Sequence, residues 1–211
     1  MEKIFFHRYL FIIIMVICFL TGCSKGNETG ENSTGVTNGY FFPKDTTSCT
    51  YDGLTFWELS GQSKEIVLSV TKVQFFEEGD LYELVIDSGE NANDRFGIDR
   101  SCLGFFFVQD DNIYLIDKET AKSETLTKDE IISKGKLVCS QTGNEDCLEE
   151  DETGWHEYII ADGNIREYHG YNNLTETGYY ESFIWEYGKG LVGYRSGYGA
   201  EADAVNLTLS K

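Results

Sequence analysis

The sequence predicts an all-β domain, an antiparallel meander of hairpins that forms a barrel or a sandwich, with at most one short helix. Aromatic residues make up 14% of the chain, the chain has 22 glycines, and proline occurs once, at Pro43. Short runs of aromatic and β-branched residues are separated by Gly, Asn and Asp at short intervals. This pattern is typical of strands joined by tight turns.

Four hairpins account for most of the apolar runs, each with two strand-like segments around turn-forming residues. In the first, a turn at Glu78-Gly79 would place Phe75 opposite Tyr82 and Val73 opposite Leu84, which gives one apolar face. The predicted strand pairs are 64–76 with 80–87, 105–108 with 113–117, 155–160 with 165–170 around Asp162-Gly163, and 179–187 with 191–195, and a last strand is predicted over 205–209.

One short helix is predicted over residues 127–134. Thr127 is a suitable N-cap, and Glu130 stands at the third helical position, as in a capping box. In that motif each of the two side chains accepts a hydrogen bond from the backbone N–H of the other residue.

The first 22 residues have the pattern of a secretory signal peptide. Lys3 and Arg8 precede an apolar run over 9–20, which is only about half of the ~20 residues that a membrane-spanning helix needs. Leu20-Thr21-Gly22-Cys23 ends this run and resembles the lipobox of bacterial lipoproteins. The resemblance implies cleavage before Cys23 and a diacylglyceryl thioether on its sulfur.

The predicted organisation has three parts: a lipoprotein signal peptide at 1–22, the lipidated cysteine with a flexible tether at 23–39, and a β-rich extracytoplasmic domain at 40–211. The tether has almost no apolar residues, so it cannot bury enough surface to fold. We expect the acyl chains on Cys23 to hold the protein on a cell membrane, facing the extracytoplasmic side, because two chains suffice for stable anchoring. The type of membrane is left open.

The charge of the chain excludes one class of partner. It has 17 basic and 36 acidic residues, which give a net charge of −19. Nucleic acids and anionic lipid headgroups would repel such a surface. An envelope protein or a small ligand is therefore the expected partner, besides the membrane itself.

Four cysteines belong to the predicted domain: Cys49, Cys102, Cys139 and Cys147. An even number outside the cytoplasm indicates disulfides, and three pairings are open. We favour Cys139–Cys147, which closes a short loop containing the turn dipeptide Gly143-Asn144, together with Cys49–Cys102. A structural zinc site is the alternative, although the sequence has no CxxC pair to support it.

The third hairpin gives the sharpest site hypothesis. If Asp162-Gly163 are the central residues of its turn, His156 lies directly opposite His169. Glu167, two residues from His169, lies on the same face. Two imidazoles and a carboxylate are suitable ligands for zinc, copper or nickel, so a divalent metal is the one cofactor considered. The alternatives are a pH-sensitive histidine pair and ordinary cross-strand neighbours.

No catalytic motif is supported. Residues 188–193 spell GxGxxG, but a strand-like segment follows where a dinucleotide site needs a helix. The serines lack the GxSxG elbow of serine hydrolases. The sequence therefore favours a non-enzymatic binding or interaction module of the cell envelope. The alternatives are a transition-metal lipoprotein that uses His156, His169 and Glu167, and an envelope-associated hydrolase.

The last hairpin carries a second resemblance. Residues 183–192, with the sequence FIWEYGKGLV, resemble the closing hairpin of several β-rich bacterial lipoproteins. The resemblance implies the all-β class and no particular activity.

Overall fold

The computed structural model describes residues 38–55, 63–87, 102–123, 125–143, 154–172, 178–199 and 203–211. Within these ranges, one antiparallel sheet of 11 strands is nearly closed into a barrel. The strands are β1 (Ser48–Thr55), β2 (Lys64–Phe76), β3 (Gly79–Asp87), β4 (Cys102–Val108), β5 (Asn112–Ile116), β6 (Lys136–Ser140), β7 (Trp155–Asp162), β8 (Ile165–Asn172), β9 (Tyr179–Glu186), β10 (Gly190–Tyr198) and β11 (Asp203–Leu209). The predicted all-β class is confirmed.

Two short helices lie between β5 and β6, α1 (Lys118–Ala121) and α2 (Lys128–Lys134). The predicted capping box is present in α2, because Thr127 Oγ1 accepts from the Glu130 N–H at 3.3 Å and Glu130 accepts from the Thr127 N–H at 3.3 Å. The prediction of at most one helix missed the single turn of α1, which Asp117 caps. Among the described residues, no helix has the length and apolar character required to cross a membrane.

Apart from β6 and β7, strands that are consecutive in the chain are neighbours in the sheet, and β1 also pairs with β11. The sheet therefore ends at β6 on one side and at β7 on the other. Because ten antiparallel steps separate these two strands, β6 and β7 run in the same direction where they meet. Near their starts, Lys136 Nζ lies 4.5 Å from the centroid of the Trp155 ring. Near their ends, Gly143 packs so closely on Ala161 that a Cβ on Gly143 would lie 2.7 Å from the Cβ of Ala161. We call the line along which β6 and β7 meet the seam.

One end of the barrel, the capped end, is filled by three aromatic residues that precede β1. The side chains of Tyr40, Phe41 and Phe42 are all buried. Backbone bonds hold this segment in place, since Gly39 O accepts from the Gly188 N–H at 2.7 Å. The opposite end, where β4, β6, β7 and β9 begin, is the far end.

Aromatic rings also fill the middle of the lumen. Phe106, Phe183 and Trp185 are fully buried, with ring centroids 5.6 to 6.2 Å apart. The indole Nε1–H of Trp185 donates to the backbone oxygen of Val138 at 3.1 Å, so even its polar atom has a partner. A buried indole with a satisfied N–H gives a rigid centre to the core.

Strand β4 is apolar throughout because both of its faces are buried. Phe106 belongs to the lumen cluster, whereas Phe105 and Phe107 belong to a second cluster with Ile131 of α2. A strand covered on both faces has a continuous apolar run instead of an alternating one.

Arg166 closes the seam near the capped end. Its side chain is buried, and its Nε donates to Ser140 O and Gln141 O, each at 3.0 Å, at the end of β6. Its Nη1 donates to two backbone oxygens of the β7–β8 hairpin at 2.9 and 2.7 Å. The guanidinium therefore joins the two edges of the sheet through backbone carbonyls.

The predicted register of the first hairpin is wrong. The turn residues are Glu77 and Glu78, so Phe75 pairs with Asp80, and Phe75 and Val73 are 53% and 44% exposed. In this register Gly79 lies in the strand against Phe107 of another hairpin, where a Cβ would be 2.5 Å from the ring, so the position accommodates only glycine. A register shift between Lys72 and Gln74 moves the rest of the pairing once more.

Candidate functional site

The β7–β8 turn determines where the two histidines lie. Its central residues are Gly163, with a φ of 50°, and the following asparagine, so the turn is one residue later than predicted. Such a shift moves every pairing by two residues, which keeps each side chain on its face. His156 therefore pairs with Tyr171, and His169 pairs with Tyr158. The prediction that the histidines lie directly opposite each other is wrong, and they are diagonal neighbours.

His169 already uses both ring nitrogens. Its Nε2 lies 2.9 Å from Glu167 Oε1, and its Nδ1 lies 3.1 Å from Ser182 Oγ. The ring stacks on Tyr158 at a centroid distance of 5.0 Å. In the part of the chain that the structure describes, no three His, Cys, Asp or Glu side chains are placed to hold a metal ion. The register thus brings Glu167 and His169 together and places His156 diagonally to His169, so the three predicted metal ligands do not form one cluster among the described residues.

The structure also contradicts the predicted disulfide between Cys49 and Cys102, since both are free thiols. Cys49 lies on β1 and Cys102 on β4, with β2 and β3 between them. Three strand spacings amount to roughly 14 Å, twice the largest Cα separation that a disulfide bridges. Cys139 is free and buried, and its predicted partner Cys147 lies outside the described residues.

The lumen becomes polar at the far end. Glu157 on β7 and Glu181 on β9 both pair with Gly170 on β8, so the two glutamates lie at one level on either side of a glycine. A Cβ on Gly170 would lie 2.4 Å from the ring of Trp155 and 2.5 Å from the hydroxyl of Tyr168. Because Gly170 has no side chain, the space above it is occupied by the ring of Trp155 and the hydroxyl of Tyr168.

Glu157 accepts two hydrogen bonds from neutral donors. The Trp155 Nε1–H donates to its Oε2 at 3.1 Å, and the Tyr168 hydroxyl donates to the same oxygen at 2.9 Å. Burial raises the pKa of Tyr168 far above its usual range, and the charge of Glu157 raises it further. The hydroxyl therefore remains protonated and acts as a donor.

Glu181 has a similar arrangement and is more deeply buried, with 7% of its surface exposed. The hydroxyls of Tyr194 and Tyr179 donate to its Oε1 at 3.0 and 3.3 Å. Burial and then the charge of Glu181 raise the pKa of Tyr194 well above its usual range. The protonated hydroxyls of Tyr179 and Tyr194 are therefore donors to the carboxylate of Glu181.

Two cavities adjoin each other at the far end. The smaller, of about 60 Å³, is lined by Glu181, Ser196, Tyr179, Tyr194, Ile86, Val205, Cys102 and Leu103. The larger, of about 360 Å³, shares Cys102 and Leu103 with the first and is also lined by Gly104, Phe105, Leu115, Ile116, Asp117, Lys118, Lys134 and Lys136. We call them the acidic cavity and the lysine cavity.

The two cavities differ in charge. Among the described residues that line the lysine cavity, three carry ammonium groups and one, Asp117, carries a carboxylate, and the wall includes the apolar side chains of Phe105 and Leu115. In the acidic cavity, the one charged side chain among the described lining residues is Glu181. The described residues around the two cavities therefore carry opposite net charges.

Cys102 lies where the two cavities meet. Its thiol is half-buried, and burial raises its pKa, with a further rise from Glu83 and a partial offset by Lys118. Because Cys102 lines both cavities, the rate at which its thiol is alkylated should fall when a molecule fills either cavity. Cys49, also half-buried and with a pKa raised by burial, is not among the lining residues of either cavity and serves as an internal control.

No protein-family model, no curated protein and no solved structure matches this chain. The interpretation of the site therefore depends on its geometry alone.

Sequence reasoning missed the carboxylates and the cavities. One signal in the sequence pointed to Glu181. It alternates with Phe183 and Trp185 along β9, so it falls on the apolar face of that strand. A charge on a core-facing position is the kind of exception that marks a functional site. The lysines gave no such signal, because exposed lysines are usual on a helix surface.

Proposed function

We propose that the protein is a small-molecule binding module, held at the extracytoplasmic face of a membrane by lipid on Cys23, and that its ligand binds at the far end of the barrel. The observation that carries this proposal is the contrast between a lumen filled with aromatic rings and two adjoining cavities of about 360 and 60 Å³ at one end. Ligand sites are typically concave, about 300–1,000 Å³ in volume and partly polar, and mouths of barrels are a usual location.

The point where the chain enters the barrel is compatible with a lipid tether. Asn38, the first described residue, donates from its side chain to Gln109 O at 2.7 Å, at the capped end. A tether from Cys23 would therefore join the barrel at the end opposite the cavities. This leaves the far end available to ligands.

The anchor is tested with the Cys23→Ala variant of the full chain in a bacterial host. We expect the unaltered chain to incorporate an alkyne-tagged palmitate and to sediment with membranes, because two acyl chains give stable anchoring. The variant should incorporate no label and lose most of its membrane association. Equal labelling of the two chains would contradict lipidation at Cys23.

Ligand binding is tested by the alkylation rates of the cysteines. The full chain in detergent is treated with iodoacetamide at about pH 8.5, the ordinary pKa of cysteine, with saturating amines, carboxylates, alcohols or sugars. Peptide mass spectrometry then gives the rate at each cysteine. We expect at least one of these classes to slow alkylation of Cys102 several-fold without changing the rate at Cys49.

Cys139 gives a check that the barrel is intact in this assay. Burial raises the pKa of its thiol to about 12, so it should remain unlabelled while the barrel is folded. If no compound class changes the rate at Cys102 relative to Cys49, the proposed site at the far end is wrong.

A further inference from the structure

We propose that the lysine cavity binds a small organic carboxylate, so that the ligand of this protein is a monoanion with an apolar body. This inference rests on the proposed function and names the class of ligand. Three features of the cavity support it: the positive charge of its lysines, the apolar side chains beside them, and its volume.

Lysines from three separate elements meet at this cavity. Lys118 begins α1, Lys134 ends α2 and Lys136 begins β6. The chain has 36 acidic and only 17 basic residues, so a group of lysines around one cavity is an exception to the charge of the whole. Each ammonium group is a compact positive charge with three N–H donors, for which a carboxylate supplies both the opposite charge and the acceptors.

The three lysines have little negative charge close to them. In the described part of the chain, the one carboxylate that pairs with any of them is that of Glu130, 3.5 Å from Lys134 Nζ, and both of these side chains are about half exposed. An ion pair so exposed to water is weak. Lys136 instead lies over the ring of Trp155, with its Nζ 4.5 Å from the centroid. An incoming carboxylate would therefore displace little.

Asp117, the one acidic side chain among the described lining residues, is already used by the fold. Its Oδ1 accepts from the Thr120 N–H at 2.8 Å, as the N-cap of α1. The effect of the lysines extends to the thiol in the cavity wall, because burial and Glu83 raise the pKa of Cys102 while Lys118 partly offsets that rise. A second carboxylate can thus find positive charge in this cavity.

Apolar side chains form much of the described wall. Leu103, Phe105 and Ile116 are buried, and Leu115 is partly buried. A methylene group that leaves water to lie against such side chains strengthens binding roughly fourfold. An inorganic anion would leave this apolar surface unused, so the cavity is better suited to an anion with a hydrocarbon chain.

The volume of the cavity and the charge of the chain limit the ligand to a small anion with one charge. About 360 Å³ is the share of roughly a dozen water molecules at ~30 Å³ each, so a chain of several carbons fits. The net charge of −19 repels anions at long range, in proportion to their charge. Salt screens that repulsion more than it screens a contact inside a partly buried cavity. A monocarboxylate is therefore preferred over a phosphate dianion or a polyanion.

The test uses butyrate with its neutral counterpart n-butanol, the cation n-butylammonium, the shorter carboxylate acetate, and inorganic phosphate, in the Cys102 alkylation assay on the full chain. In the unaltered protein, butyrate should protect Cys102 at concentrations at least tenfold below those of n-butanol, and n-butylammonium should protect no better than n-butanol. Acetate, which lacks two methylenes, should be needed at roughly tenfold higher concentration than butyrate. Phosphate should protect no better than acetate. This comparison needs no variant, so it decides the proposal even if a substitution prevents folding.

The matched variants each replace two lysines with glutamine. Lys118→Gln with Lys136→Gln removes two charges from the cavity, whereas Lys44→Gln with Lys189→Gln removes two exposed charges near the capped end. Each variant is compared with its own rate of alkylation without ligand. The cavity variant should need at least tenfold more butyrate for the same protection and be unchanged toward n-butanol, and the capped-end variant should be unchanged toward both.

Two outcomes would overturn the carboxylate proposal: equal protection by butyrate and n-butanol, or full affinity for butyrate in a folded cavity variant. If n-butylammonium, phosphate or a sugar protects Cys102 better than butyrate, the carboxylate assignment fails while the proposed function is supported. If no compound protects Cys102, both fail.

Discussion

Replacing Arg166 with alanine is expected to lower the free energy of unfolding by about 3–5 kcal/mol, because several buried carbonyl groups would lose their donor at about 1–3 kcal/mol each. Arg166 donates to backbone oxygens on both sides of the seam, including Ser140 O and Gln141 O on the β6 side. The seam is the one place where the sheet lacks a ladder of strand pairing among the described strands. The loss should be measured by urea unfolding, followed by tryptophan fluorescence.

Two control variants separate the charge of Arg166 from its geometry. Arg166→Lys keeps the charge, but a single ammonium cannot span both edges of the seam, so it should recover less than half of the loss. Lys44→Ala, at an exposed position before β1, should change stability by no more than about 0.5 kcal/mol. A loss below about 1 kcal/mol in Arg166→Ala would show that the seam does not depend on the guanidinium.

The fold class was predictable because its signals are local. Alternation of apolar residues and turn-forming dipeptides determine where strands begin and end, and these signals identified the four hairpins and the last strand. The capping box at Thr127 and Glu130 is equally local, and it identified α2. The strands β1 and β6 were missed, and β6 is a short apolar segment of five residues.

The register of the hairpins was not predictable, because contacts distant in sequence determine it. In its strand, Gly79 packs against the ring of Phe107, which belongs to another hairpin. A single-residue change in the position of the β7–β8 turn was enough to move His156 from a place directly opposite His169 to a diagonal one.

The pairing of the cysteines needed the strand order, which the sequence does not contain. Cys49 and Cys102 lie three strands apart, and this separation follows from the meander as a whole. The acidic cavity has the same origin. Cys102 of β4 and Tyr179 of β9 are remote in sequence, and the nearly closed barrel brings them to one cavity wall.

Replacing Trp185 with alanine is expected to lower the free energy of unfolding by about 3–5 kcal/mol, the usual cost of truncating a buried aromatic residue. Trp185 is fully buried, contacts the rings of Phe106 and Phe183, and donates to Val138 O. Urea unfolding should be compared with that of Trp185→Phe, which keeps a ring and should lose less. A loss of under about 1 kcal/mol would mean that the neighbouring rings collapse into the space.

The same variant tests whether the native lumen is solid. An apolar cavity the size of a removed ring remains dry and binds benzene. Benzene should therefore raise the melting temperature of Trp185→Ala and leave that of the unaltered chain unchanged. If benzene stabilises both chains, the centre of the native barrel already has space for a ligand. If it stabilises the variant alone, the aromatic filling around Trp185 blocks the lumen, and a ligand that enters from the far end reaches no deeper than Glu181.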